Sequence, residues 1–234
     1  MSEVAIIKTT NLTKTYGKKS STFTALDNVD LEIKRGESVA IIGKSGSGKS
    51  TLMHLLALLD KPTSGSVEIG GKDASKLKNR QINRLRNRRF GFVFQQFFMN
   101  SRDSVLNNVM LPLRIAGVKP SERKKRALEA LQIVDLADKA KSRANDLSGG
   151  QKQRVCIARA LVNNPAVIFA DEPTGNLDSA TGKLVEDLLF SLNRDKGITL
   201  IIVTHDEDLA KRCHRQIHIK DGRLITQPKK GAKK

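Results

Sequence analysis

A chain of 234 residues has room for one α/β domain with a smaller subdomain, or for two small domains. Its 42 Lys+Arg against 24 Asp+Glu leave a formal charge of +18, which favours anionic company, either nucleic acid or an anionic membrane surface. No run approaches the roughly 18 uncharged apolar residues of a membrane span, Met1-Ser2-Glu3-Val4 lacks the basic-then-apolar order of a secretory signal, and one Tyr with no Trp gives single-stranded nucleic acid no stacking platform.

In chain order, the first strand signal is Val4-Ala5-Ile6-Ile7, followed by Thr13 to Gly17, where Tyr16 sits beside a glycine turn. Val29-Asp30-Leu31-Glu32-Ile33 alternates at period 2 and predicts a half-buried strand. Ser38-Val39-Ala40-Ile41-Ile42 is short, apolar and β-branched, a buried strand, and Leu52 to Leu59 is helix-forming. Lys61-Pro62-Thr63-Ser64-Gly65 breaks the chain before a short strand at Ser66–Ile69. Lys72 to Arg89, with eight basic and one acidic residue, predicts a surface helix, and Phe90-Gly91-Phe92-Val93-Phe94 a buried strand.

From there to about Asn164 the pattern is helical: Val105–Ile115, then a helix capped by Ser121 that Leu136–Lys141 extends, then Gln151–Val162. Val167–Ala170 resumes the sheet. A helix over Ser179–Arg194, a strand over Ile198–Val203, a short helix at Glu207–Lys211 and a strand at Gln216–Ile219 complete it. Alternating strands and helices predict a largely parallel sheet. Lys119–Arg126 and Lys220–Lys234 are two more basic clusters, for which plain solvated charge is the competing explanation. Cys156 and Cys213 form no metal or redox motif and read as reduced structural thiols. Gln227 to Lys234 reads as a disordered basic tail.

Four constellations carry chemistry. Gly43-Lys44-Ser45-Gly46-Ser47-Gly48-Lys49-Ser50-Thr51 fits G-x-x-x-x-G-K-[ST] between a predicted strand and a predicted helix. Gly46 and Gly48 let the backbone N–H groups converge, the helix beginning near Lys49 adds its positive end, Lys49 reaches β- and γ-phosphates, and the Ser50 hydroxyl serves Mg²⁺. A glycine turn with an accidental lysine would lack that context. Val167 to Ala170 ends in Asp171-Glu172: the first carboxylate suits Mg²⁺ held through water, the second the proton of an attacking water. That pair alone is a weak signal and gains meaning from the phosphate loop upstream. Leu147-Ser148-Gly149-Gly150-Gln151 opens a helix with two glycines and a hydroxyl, a second anion-ready N-terminus rather than a mere cap. His205, after the strand Ile198–Val203, stands where a parallel sheet presents ligand-facing groups and can report a γ-phosphate.

The ordered set Gly43–Thr51, Gln95, Leu147–Gln151, Val167–Glu172, Leu177-Asp178 and His205 resembles the nucleotide-binding subunit of an ABC transporter, from about Asn11 to Ile225. The resemblance implies one ABC ATPase domain over 1–226, with a P-loop NTPase (RecA-like) α/β core. It also implies an antiparallel β subdomain on the N-terminal strands and an inserted helical subdomain over about 97–164. It implies ATP and Mg²⁺ as cofactors and a head-to-tail ATP dimer in which each site pairs one chain's loop at Gly43–Thr51 with the other's Ser148-Gly149-Gly150-Gln151. Tyr16 would stack on adenine, Gln95 would touch Mg²⁺ and the transport domains, and Asp178 would link the two sites. Catalysis would rest on Glu172, Lys49, His205 and Gln95; metal binding on Ser50, Gln95 and Asp171. The permease would be a separate polypeptide, holding this chain on the inner, cytoplasmic face of the membrane; anionic lipid is a further partner, and no specific nucleic acid is expected.

Phe92-Val93-Phe94-Gln95-Gln96-Phe97 and Asp171 to Ser179 are similar to the macrolide-exporter, lipoprotein-releasing and cell-division group, hence export or force transmission. An importer's ATPase is the alternative, and a soluble ABC ATPase on nucleic acid or ribosomes a more distant one. The chain departs from relatives at Asn107, where a glutamate is usual in a segment that faces the permease.

Overall fold

The structure, a computed structural model, describes residues 5–18 and 21–225; Val4 and the tail predicted over 227–234 lie outside them. The first half runs β1 (Ala5–Lys18), β2 (Ser21–Lys34), β3 (Ser38–Ile42), α1 (Lys49–Leu56), β4 (Ser64–Ile69), β5 (Lys72–Asp73), α2 (Asn79–Arg89) and β6 (Phe90–Phe94). The second runs α3 (Val105–Ile115), α4 (Pro120–Ile133), α5 (Gly149–Leu161), β7 (Val167–Asp171), α6 (Ser179–Lys196), β8 (Thr199–Val203), α7 (Glu207–Lys211), β9 (Arg215–Lys220) and β10 (Arg223–Ile225). The chain divides into two compact units. One comprises the described residues of 1–34, 39–76 and 203–234; the other comprises 35–38 and 77–202.

In the first unit, β2, β1, β4 and β5 form an antiparallel sheet in that order. Val29, Leu31 and Ile33 are buried and Asp30 and Glu32 exposed, as the alternation requires. Ser21–Thr24 at the start of β2 are exposed and became strand by pairing with β1 rather than by burying a face. The glycine turn expected beside Tyr16 is also strand: Tyr16 pairs with Phe23 and Gly17, at φ 92°, with Thr22. Elsewhere in the unit β9 runs parallel to β3, and β10, which no sequence signal marked, returns antiparallel to β9. Val39, Ala40 and Ile41 are fully buried, and α1 buries Leu52, Met53, Leu55 and Leu56. The larger of these, Val39, Ile41, Leu52, Met53, Leu55 and Leu56, contribute about 1.5–3 kcal/mol each, which fixes the strand and helix flanking the glycine loop. The helix stops at Leu56, short of the expected Leu59, because Leu58 takes a left-handed φ of 55°.

In the second unit β8, β7 and β6 are neighbours, with Phe94 opposite Asp171 in the parallel β6–β7 pair. Phe92 stacks on Phe169 at 5.7 Å between ring centroids and Phe90 meets it edge-on at 5.2 Å. The surface helix expected near Arg89 is α2, which buries none of its side chains. Ser104 caps α3, its hydroxyl accepting from the Asn107 N–H at 3.1 Å. The next helix is corrected at both ends. It starts at Pro120, whose fixed φ suits the first helical position, so Lys119 is the cap and Ser121 lies inside the first turn. It ends at Ile133 because Asp135 adopts φ 56°, and Ala137–Lys139 forms a separate 3₁₀ turn rather than an extension. A left-handed Gly197 terminates α6.

Candidate functional site

The loop between β3 and α1 is shaped by glycines where the chain must turn against its ordinary hand. Gly48, at φ 106°, is the N-cap of α1 and supplies no side chain to cap it. A Cβ at this position would stand 2.6 Å from the Ala25 carbonyl oxygen. The first intrahelical bond runs from Leu52 N–H to the Gly48 carbonyl at 2.8 Å, so the N–H groups of Lys49, Ser50 and Thr51 precede the ladder. Lys49 folds its ammonium over the loop, donating to the carbonyls of Gly43 at 2.8 Å and Lys44 at 3.0 Å. Ser47 Oγ is buried without a hydrogen-bond partner, an orphan of the kind a ligand satisfies. Lys44, Ser45 and Gly46 are exposed. Orphan donors, an ammonium and the positive end of a helix together make a phosphate cradle.

The same unit holds Tyr16 and His205. Tyr16 is 41% exposed; its hydroxyl donates to Asp60 at 3.0 Å and the Lys14 ammonium lies 4.8 Å from its ring centroid. Lys14 also pairs with Asp60 at 2.8 Å. Burial pulls the Asp60 carboxyl up, but hydrogen bonds from Lys14, the Lys61 N–H and Tyr16 outweigh it and hold it below the ordinary range. His205 is exposed and follows buried Thr204, whose N–H donates to the Ile41 carbonyl at 3.3 Å. That bond sets the His205 backbone beside the strand leading into the glycine loop.

The second unit gathers the carboxylates, Gln95 and the second glycine helix. β7 ends at half-buried Asp171. Glu172 follows in a left-handed conformation, φ 45°, which a non-glycine residue adopts at a cost of about 1–3 kcal/mol. Its carbonyl accepts from the Gly175 N–H at 3.1 Å. Gln95 leaves β6 opposite this turn and is tied to it twice. Its Nε2 donates to Asn176 Oδ1 at 3.2 Å, and Asn176 Nδ2 donates to the Gln95 carbonyl at 3.0 Å.

At the head of α5, Ser148 Oγ accepts from the Gln151 N–H at 3.3 Å, while Gln151 Oε1 accepts from the Ser148 N–H at 2.9 Å. This capping box uses part of the hydroxyl and donor supply the sequence suggested for an anion, leaving the Gly149 and Gly150 N–H groups ahead of the first helical bond, Lys152 N–H to Ser148 carbonyl at 2.9 Å. A Cβ on Gly150 would lie 2.1 Å from Thr181 Cγ2, so any larger residue here would have to push the Thr181 side chain aside where α5 and α6 begin side by side. Asp178 caps α6, accepting from the Thr181 N–H at 3.0 Å; that backbone donor, first among several contacts, lowers its pKa.

Sequence reasoning missed two residues of this unit. Asn176 locks Gln95, and buried Gln153 donates to the carbonyls of Phe94 at 3.2 Å and Pro173 at 2.5 Å. Asn176 lies within a quoted motif; Gln153 has partners too remote in sequence to give a signal.

Residues 26–175 match the family model described as ABC transporter. The lipoprotein-releasing system ATP-binding protein LolD of Syntrophus aciditrophicus is 45% identical over 94% of this chain and 99% of its own length. The macrolide export ATP-binding/permease protein MacB of Chlorobaculum tepidum is 47% identical over 96% of this chain, which spans 34% of that longer protein. The dimeric structure of a post-hydrolysis state of the cassette MJ0796 bound to ADP and Pi superposes with a TM-score of 0.86 at 45% identity, covering 95% of this chain and 97% of that one. The chain belongs to the ABC transporter ATP-binding family.

It is therefore an ATPase subunit of a transporter, with the P-loop NTPase fold and an ATP site, and the glycine loop is the family's Walker A element. No helix among the described residues is long and apolar enough to cross a membrane. Nor do the described residues contain a group of three or more His, Cys, Asp or Glu that could hold a metal ion. Magnesium bound with a nucleotide needs no such cage, since one hydroxyl, one carboxylate, waters and phosphate oxygens complete its octahedron. Ser50 in the first unit, and Asp171 and Gln95 in the second, each carry an oxygen donor of that kind.

Proposed function

We propose that this ABC ATPase drives a separate permease in export or in force transmission across the envelope, and that two copies close head to tail on ATP. In each site one chain's Gly43–Thr51 faces the partner's Ser148, Gly149 and Gly150. The observation carrying this is the second glycine helix: exposed Ser148 and the free N–H groups of Gly149 and Gly150 form an anion-ready N-terminus besides the Walker A cradle. The dimeric ADP–Pi neighbour and the LolD and MacB names support the dimer and the export-type reading. The subunit would sit on the inner face of the membrane through its permease.

Within that site Lys49 holds the β- and γ-phosphates, Tyr16 stacks on the base, and Gln151 positions Ser148. Glu172 accepts the proton of the attacking water, and His205 hydrogen-bonds the γ-phosphate. Asp178 joins the two sites at the dimer contact. Ser50, Asp171 and Gln95 would hold Mg²⁺, which neutralises charge on the phosphates when bound. The exposed basic helix α2 and the lysine-rich segment beyond residue 226 would hold the subunit near anionic lipid.

Glu172→Gln keeps size and hydrogen-bonding reach but cannot take the proton. Hydrolysis should nearly stop, and sedimentation in ATP should shift from monomer to dimer. Adding Ser148→Arg should abolish the shift, because a bulky cation fills the place of the other chain's γ-phosphate. A Lys49→Ala chain mixed with a Ser148→Arg chain should regain part of the activity, since one sound site can form between them. Wild-type hydrolysis in Glu172→Gln would remove Glu172 as the base, and an unshifted monomer at saturating ATP would remove autonomous closure.

A further inference from the structure

Gln153 lies on α5, five residues beyond Ser148, and is 0% exposed. Its amide nitrogen donates to two carbonyls from different functional segments. One belongs to Phe94, the residue before Gln95; the other to Pro173, the residue after Glu172. Both donor hydrogens are thereby used on the backbone flanking the two residues assigned to water and metal. The amide oxygen is buried with no partner of its own. An unpaired buried acceptor carries a desolvation cost, and a methionine of similar length would fill the space without it. A glutamine here is therefore poorly explained by packing, and well explained by what its nitrogen holds.

We infer that Gln153 is a positioning residue for hydrolysis. It fastens the segments bearing Gln95 and Glu172 to the helix whose first turn is Ser148-Gly149-Gly150, so the placement of the proton acceptor follows the placement of that helix. The path is short: about five residues of a rigid helix, roughly 7.5 Å at 1.5 Å per residue, separate the cap from the amide. The Phe94 carbonyl ends β6, and the Pro173 carbonyl lies two residues past the end of β7, whose Asp171 faces Phe94. Without the amide, β6 and β7 stay paired while the turn at Glu172, held at φ 45°, loses its tie to α5. This inference rests on Glu172 being the base, so Glu172→Gln is measured beside it.

The test is Gln153→Met in the full-length chain, read by steady-state ATP hydrolysis, nucleotide binding and thermal unfolding. Misplacing a reacting group by a fraction of an ångström to about 1 Å costs on the order of 10- to 100-fold, so kcat should fall within that range. ATP affinity should hold within twofold, because the phosphate cradle is elsewhere, and Tm should change little or fall modestly, since the orphan oxygen goes while the Phe94 and Pro173 carbonyls lose their donor. In a Glu172→Gln background, read on its residual single-turnover hydrolysis, the same substitution should cost under threefold, since the proton acceptor it places is already gone. A kcat within twofold of wild type overturns the inference. So does a loss that repeats in full in the Glu172→Gln background, which marks a general packing defect. If Glu172→Gln retains hydrolysis, the base assignment fails by itself, whatever Gln153→Met does.

Discussion

Replacing Gly48 with alanine tests how the Walker A loop is built. Two costs are legible in the structure. An L-residue in the left-handed region, where Gly48 sits at φ 106°, costs roughly 1–2 kcal/mol. The new Cβ would also stand 2.6 Å from the Ala25 carbonyl and 3.1 Å from Leu26 Cδ2. The leucine methyl can swing aside, but the Ala25 carbonyl belongs to β2 and cannot move without its strand, which makes this overpacking of about 1–3 kcal/mol. The sum, about 2–5 kcal/mol, converts to roughly 4–20 °C in Tm at 2–4 °C per kcal/mol for a chain of this size. Gly46→Ala is the matched control: its φ is 76°, yet no atom lies within 4 Å of the new Cβ, so only the conformational cost applies, roughly 2–8 °C. Thermal unfolding by circular dichroism without nucleotide gives the ranking. The upward shift on adding ATP measures the loop's remaining grip on phosphate separately. If both variants melt within 2 °C of each other, the Ala25 carbonyl does not constrain the loop and the packing account is wrong.

Tyr16→Ala should weaken ATP binding several-fold, since an aromatic contact contributes roughly 0.5–1.5 kcal/mol beyond buried area, while Tyr16→Phe should bind nearly as wild type; isothermal titration that finds alanine equal to tyrosine moves the base elsewhere. Asp60→Asn should cost about 0.2–1 kcal/mol at pH 7. Because the folded Asp60 pKa is depressed, that stability is present above its unfolded value near 4 and is lost as pH falls through the folded value. The gap between variant and wild type should thus close in acid, and a gap unchanged from pH 7 to pH 2 would refute the pairing. Liposome flotation should show binding that rises with anionic lipid and weakens with salt; Arg80, Arg84 and Arg88 changed together to Gln should lower it, and equal binding to neutral vesicles at high salt would sink the lipid reading.

Local periodicity and capping made much of this molecule readable. Phe90–Phe94, Val105–Ile115 and Glu207–Lys211 are found with the predicted bounds, the second even though Pro112 lies inside its helix, because its apolar run and the Ser104 cap outweigh that breaker. The Walker A strand and helix were readable from their apolar runs too. The proline rule for helix starts would have found the correct beginning at Pro120, where a hydroxyl at Ser121 was the more visible signal. Other features had no local cause. The outer half of β2 is strand because β1 supplies its partner, and a long-range pairing leaves little trace in a Ser- and Thr-rich sequence. The left-handed φ of Glu172 contradicts its intrinsic preference, as a residue held by its surroundings does. Gln153 meets Phe94 from 59 residues away and Pro173 from 20, so its role became visible only when the chain was folded.

Asn107, where the family resemblance leads to the expectation of a glutamate, sits at the centre of a small polar relay. Asn107 Nδ2 donates to Asp103 Oδ1 at 2.6 Å, and its Oδ1 accepts from Arg114 Nη2 at 2.7 Å. One neutral amide thus serves an acid and a base, which a carboxylate cannot do: it would still bind Arg114 but would face Asp103 with like charge. The Asp103 pKa is lowered first by the Asn107 side chain and then by the Ser104 N–H, against a smaller opposing effect of burial, with the Arg114 charge adding last. Asn107→Glu removes the leading donor and adds repulsion, so Asp103 should titrate at higher pH than in wild type, read by carbon-detected NMR of its carboxyl. Asn107→Ala should move it the same way by less, since it removes the donor without adding charge. The trio also changes from net neutral to net negative, so a permease segment fitted to this surface should lose affinity for the Asn107→Glu chain in co-purification. An Asp103 midpoint unmoved in both variants would mean that the amide does not hold the carboxylate, and the neutral relay would have to be abandoned.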